Sequence, residues 1–173
     1  KELFNKLKTP KDYIDILLDE LEKMIYKTGF YKQKAKSIKN CCQYIINNYN
    51  GEVPADFDKL TKLPGVGRKT ANIILSTTYN INSGIAVDTH MLRINYALGF
   101  IKDRYNAING ELELMKILDK KLWSKYTYLI IEHGRDCCKS GKVGNSECIL
   151  KDLYKNKLLY YWLFNNILLI YIY

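Results

Sequence analysis

Leu63-Pro64-Gly65-Val66-Gly67-Arg68-Lys69-Thr70-Ala71-Asn72 is the stretch on which the reading of this chain turns. A Pro-Gly-x-Gly turn here opens a helix. Glycine admits backbone angles that exclude a side chain, and it leaves no Cβ between the amides and an approaching anion. Amides in the first turn of a helix lack intrahelical partners, and the helix dipole adds positive potential there. Gly65, Gly67 and Arg68 are therefore candidate contacts to a nucleic-acid backbone, positioning it without reading bases. A plain helix connector is the alternative for such a turn. Lys69 stands in the first helical turn, where the dipole and partial burial favour the neutral, nucleophilic amine. The plainer reading of the same lysine is a solvated phosphate contact.

Nineteen residues after Lys69, Asp88 follows the buried-looking run Ile85-Ala86-Val87 and precedes Thr89-His90. A carboxylate there caps the next helix. It can also stabilise positive charge on a sugar ring or assist a proton transfer, and the two roles are compatible.

Outward from this core the pattern is helical nearly throughout. Thr9-Pro10-Lys11-Asp12 reads as an N-cap followed by proline at the first helical position. Apolar residues at Tyr13, Ile14, Leu17, Leu18, Leu21, Met24 and Ile25 then predict one long helix that Gly29 stops. Further helices are predicted over 32–49, 55–62, 68–79, from the Asp88 cap to Leu98, and over 106–122 and 124–132, the last closing at His133-Gly134. No stretch sustains a two-residue alternation and no repeat is present, so the fold class is all-α.

Composition agrees with a folded chain that meets an anionic partner. The 173 residues allow one domain or two small ones, and 47% are hydrophobic against 26% charged. A net charge of +9 points to nucleic acid or an acidic membrane surface. The five cysteines, Cys41, Cys42, Cys137, Cys138 and Cys148, are odd in number and include two adjacent pairs. They do not read as a disulfide framework, and a reducing compartment is expected. Lys1-Glu2-Leu3-Phe4 shows no secretory leader and no initiator Met, so the sequence reads as a fragment. The apolar run Leu158 to Tyr173 spans 16 residues with Asn165 and Asn166 inside it, short for a bilayer crossing. A packed terminal segment, a marginal membrane segment and a non-native tail are its three readings.

Residues 63–72 taken with 86–90 closely resemble the endonuclease III family of helix-hairpin-helix DNA glycosylases. Thr28-Gly29-Phe30-Tyr31-Lys32-Gln33-Lys34-Ala35 is similar to the family's Gly-hydrophobic-Tyr loop, and Asn50-Gly51-Glu52-Val53-Pro54 and His133-Gly134-Arg135 also fit. The resemblance covers about residues 10–153. It implies a partial six-helix barrel with the helix-hairpin-helix over 1–82 and a C-terminal helical domain with a degenerate iron–sulfur loop over 83–156. An apolar tail follows over 157–173, and the family's upstream helices precede the point where this sequence opens.

The activity implied is that of a bifunctional DNA N-glycosylase and abasic-site lyase on oxidised pyrimidines. Lys69 would attack C1′ of the damaged nucleotide, release the base and form a Schiff base, after which β-elimination cuts the strand. Asp88 would be its acidic partner, Phe30 a wedge inserted into the base stack, and Arg135 a further DNA contact. Glycosylase-only relatives generally carry another residue at the lysine position, so Lys69 points to the lyase branch. The partner implied is duplex DNA with damaged or abasic sites, bound by a monomer in an intracellular, DNA-containing compartment, with no membrane. A non-catalytic helix-hairpin-helix binding module, a monofunctional glycosylase and a membrane-surface protein are the rival readings.

The family commonly binds a [4Fe–4S] cluster through cysteines spaced C-x6-C-x2-C-x5-C. Cys138 and Cys148 fit the first and third positions; Asn145 and Tyr154 stand at the second and fourth, and Cys137 is an adjacent extra. From this count, no metal and no cofactor are expected.

Overall fold

The computed structural model describes residues 2–155, and among these there are helices and turns but no strand. The tail over 157–173 lies outside the described residues, as do its three readings. Among the described residues no helix is long and apolar enough to cross a membrane. The chain divides into two compact units, one running to Ile81 and one opening at Asn82.

The first unit begins with α1 (Glu2–Lys6) and α2 (Pro10–Asp15). Thr9 and Asp12 form a capping box: the Thr9 hydroxyl accepts from the Asp12 N–H, and the Asp12 carboxylate accepts from the Thr9 N–H at 2.8 Å. The single helix predicted from Pro10 toward Gly29 is in fact broken. Ile16 and Leu17 are extended, and the chain resumes as α3 (Leu18–Ile25). The cause lies on α4 (Tyr31–Tyr49), whose Lys39 ammonium donates to the carbonyls of Tyr13 (3.1 Å), Ile14 (2.6 Å) and Ile16. Those carbonyls would otherwise need the N–H groups of a continuing helix. The break lets Leu21 and Ile25 turn inward onto Ala35 and Leu7, while Leu17 stays 69% exposed.

Lys39→Met will therefore destabilise the protein by about 2 kcal/mol, because half-buried carbonyls lose their donor. Urea unfolding of the two proteins checks it, and equal midpoints would remove the ammonium from the account of the break.

Asp56 caps α5 (Phe57–Thr61) by accepting the Lys59 N–H at 2.8 Å, and α6 follows over Arg68–Thr78. Leu60, Leu63, Ala71 and Leu75 pack with Ile45 of α4 into a second small core.

The second unit holds α7 (Thr89–Leu98), α8 (Ala107–Ile117), α9 (Trp123–Asp136) and α10 (Lys151–Lys155). Met91, Ile94, Leu114, Trp123 and Ile130 centre its core. The helix predicted over 106–122 ends at Ile117 because Leu118 turns extended and buries itself, and the Trp123 indole N–H holds its carbonyl at 3.0 Å. Asn95 is fully buried between helices: its amide donates to the Met91 carbonyl at 2.8 Å and its oxygen accepts the Tyr126 hydroxyl.

Candidate active site and metal centre

In the first unit the glycine turn is built on buried Leu60 and Leu63, and Val66 N–H closes it onto the Leu63 carbonyl at 3.0 Å. Gly65 sits at φ +79°, and a Cβ there would stand 2.9 Å from Ser37 Cβ, so both conformation and space demand glycine. Gly67 differs. Its φ of −94° suits any residue, and nothing lies within 4 Å of where a Cβ would be. As the N-cap of α6, Gly67 brings no side chain to the helix start.

Arg68 is exposed, its guanidinium 4.8 Å above the Phe57 ring. Lys69 is half-buried in the first turn of α6, which seats Ala71, Asn72 and Leu75 inward. Phe30 stands at φ +48° after Gly29 at φ +64°, immediately before α4. That turn is braced by Lys34 Nζ donating to the Thr28 carbonyl at 2.6 Å and by Thr28 Oγ1 donating to the Ile25 carbonyl at 2.8 Å. Phe30 is 89% exposed, so it is no core residue. The turn therefore holds a large apolar ring out in solvent from a left-handed backbone conformation.

In the second unit Asp88 is half-buried behind buried Ile85, Ala86 and Val87. Its carboxylate accepts the N–H groups of His90 (2.9 Å) and Met91 (3.0 Å), the N-cap of α7. Arg135 is exposed in the last turn of α9.

That same helix end carries a centre which the sequence reading excluded. The expectation of no metal and no cofactor is overturned: one donor atom from each of His133, Cys137, Cys138 and Cys148 lies within 4.8 Å of the others. Counting cysteines against a fixed spacing missed His133 and Cys137. Four apart, these two share one face of the helix end, but only the fold brings Cys138 and Cys148 to them. Cys138 Sγ is 3.3 Å from Cys148 Sγ, and His133 Nε2 is 3.4 Å from Cys148 Sγ. Burial would raise the Cys138 thiol, yet hydrogen bonds from Gly144 N–H and Tyr154 O–H, with those of Cys148 and Cys137, bring it below its ordinary value. Burial and the bond to Cys138 push the Cys148 thiol up to about 12. Burial also lowers His133, against the opposing charge of Asp136.

Arg93 of α7 ties the centre to the helices. Its guanidinium donates to the carbonyls of Cys138 (2.6 Å) and Gly134 (3.2 Å).

Comparison with known proteins agrees with this architecture. The profile described as HhH-GPD superfamily base excision DNA repair protein matches residues 1–120. The chain is 42% identical to the endonuclease III of Bacillus subtilis (strain 168) over 153 residues, 88% of this chain and 69% of that protein. It is 40% identical to the endonuclease III of Rickettsia prowazekii (strain Madrid E), with 88% and 71% covered. The structure of a trapped endonuclease III–DNA covalent intermediate aligns at TM-score 0.82 with 44% identity, over 88% of this chain and 71% of that one. A non-covalent endonuclease III–DNA complex aligns equally at 45% identity, over the same shares of both chains. By profile, by sequence and by fold, then, this chain belongs to the HhH-GPD superfamily of base excision DNA repair proteins.

Proposed function

We propose that this base-excision-repair DNA glycosylase and AP lyase acts on oxidised pyrimidines in duplex DNA, with Lys69 as its nucleophile. The observation that most supports the role is the placing of Lys69, half-buried in the first turn of α6 directly behind the glycine turn. A helix N-terminus entered through glycine suits a DNA phosphate, so an amine one residue into the helix lies close to a bound sugar-phosphate backbone.

The chemistry balances through that amine. The Lys69 nitrogen bonds to C1′ while the glycosidic bond breaks, and the base leaves with the electron pair and takes a proton. Loss of a proton from nitrogen expels the ring oxygen from C1′ and leaves a C=N linkage. That linkage acidifies C2′, and removal of its proton expels the 3′ phosphate by β-elimination. The Asp88 carboxylate favours cationic character on the sugar. Phe30 enters the stack as the base turns out, and Arg68 and Arg135 pair with phosphates. The protein works as a monomer on DNA with damaged or abasic sites, in a compartment that holds DNA.

Asp88→Asn separates charge from capping. Asparagine caps as well as aspartate, so melting will be unchanged, while base release and strand nicking fall about 10²-fold. Asp88→Ala will add a loss of about 1 kcal/mol in stability. Full activity in Asp88→Asn would leave Asp88 as a cap alone. The activity is tested on duplexes bearing one thymine glycol, scored separately for free base and for cut strand. Base release with intact strands would leave a glycosylase without lyase chemistry.

A further inference from the structure

We propose that His133, Cys137, Cys138 and Cys148 together bind one tetrahedral divalent ion of the zinc class. The family's group, a [4Fe–4S] cubane, takes one thiolate on each of four irons, so its protein sulfurs surround a whole inorganic core. The donors here converge on a common point instead, all within 4.8 Å of one another. That spacing leaves no room for a cubane among them.

It does match a single ion. Zinc bonds of about 2.3 Å to sulfur and about 2.0 Å to nitrogen put neighbouring tetrahedral donors roughly 3.5–3.8 Å apart. The Cys138–Cys148 and Cys148–His133 edges, at 3.3 and 3.4 Å, already lie near this value. Closing the widest pair needs about 1 Å of side-chain movement. A three-thiolate, one-imidazole set is a closed structural set, with no position left for substrate.

The residues standing where the cluster spacing calls for sulfur support this arrangement. Asn145 donates to the carbonyls of Cys137 (2.9 Å) and Lys142 (3.1 Å), and its oxygen accepts the Glu147 N–H at 2.9 Å. It therefore braces the loop that carries Cys137 and Cys138. The Tyr154 hydroxyl lies 3.5 Å from Cys138 Sγ, and Gly144 N–H donates to the same sulfur at 3.4 Å. Hydrogen bonds of this kind orient a thiolate ligand and stabilise its charge. Cys138 and Cys148 are 0% and 1% exposed, and His133 and Cys137 are half-buried beside them. The Arg93 guanidinium at the Cys138 carbonyl offsets the net negative charge that three thiolates bring to one divalent ion. The segment between α9 and α10 consists of turns, and the ion would be its cross-link, contributing folding energy directly.

The test is metal and sulfide analysis of the full chain purified under reductant, followed by cobalt substitution. One zinc per chain is expected, without inorganic sulfide, and the cobalt form should show the intense tetrahedral thiolate spectrum. Chelation should make three further thiols reactive beyond Cys41 and Cys42. Cys148→Ser and His133→Ala should weaken zinc binding by well over about 100-fold, while Tyr154→Phe, which removes only an outer hydrogen bond, weakens it by roughly 10-fold. Four irons with four sulfides per chain would overturn the proposal. So would a Cys138–Cys148 disulfide in the native protein, or no zinc uptake by the wild-type chain. These readings need only the wild-type protein, so a variant that fails to fold does not blunt them.

Discussion

Lys69→Gln will abolish covalent trapping on abasic-site DNA by borohydride and lower strand cleavage at least about 10³-fold, the scale on which enzymes lose activity with their nucleophile. Glutamine is one atom shorter than lysine but close to it in helix propensity, so α6 keeps its first turn and its buried Ala71, Asn72 and Leu75. Stability should stay within about 0.5 kcal/mol of the parent. What changes is the nitrogen. An amide lone pair is delocalised into its carbonyl and does not bond to C1′, so no C=N linkage forms for borohydride to reduce. Binding to an abasic duplex should persist with a nearly unchanged salt slope, because the glycine turn and Arg68 remain. Undiminished trapping in the variant would move the nucleophile to another amine. Loss of DNA binding along with trapping would make Lys69 a phosphate contact instead.

Gly134→Val will cost about 3 kcal/mol and lower the melting temperature by roughly 6–12 °C, measured by thermal unfolding followed by circular dichroism. Gly134 is buried within α9 against α7. A Cβ there would stand 2.7 Å from His90 Nδ1 and 3.0 Å from both His90 Cβ and Ile94 Cδ1. None of these has room to retreat. His90 is fixed by its N–H on Asp88 and by Arg93 at its ring nitrogen, and Ile94 is fully buried. The two helices must separate, which opens the core around Met91 and Ile130. Valine is a better helix former than glycine by only a few tenths of a kcal/mol, too little to offset that separation. A valine variant as stable as the parent would show that α7 and α9 do not approach this closely.

Gly134 also marks where local rules end. Read along the chain, a glycine after Glu132 signals a helix stop, and the helix was expected to close there. In the fold α9 continues to Asp136, and the missing side chain serves the neighbouring helix. Lys39 shows the same limit, since the break at Ile16 depends on an ammonium 23 residues further along the chain. Hydrophobic spacing alone extends the first helix straight through that point.

Where structure depends on neighbours in the chain, the reading was accurate. Asp88 and Gly99 bracket α7, and Gly67 opens α6, because caps and positive-φ stops act within one turn. For the same reason the glycine turn, Lys69 in the first turn of α6 and the capping carboxylate of Asp88 were legible as separate pieces.

By itself the sequence determined the all-helical class, the helix starts and stops set by caps, and the family to which the glycine turn and its lysine belong. Tertiary structure alone decided the break after α2, the close crossing at Gly134 and the four-donor centre. Each of these rests on groups brought together across space, and a metal site depends on where donor atoms converge, which their spacing along the chain does not specify.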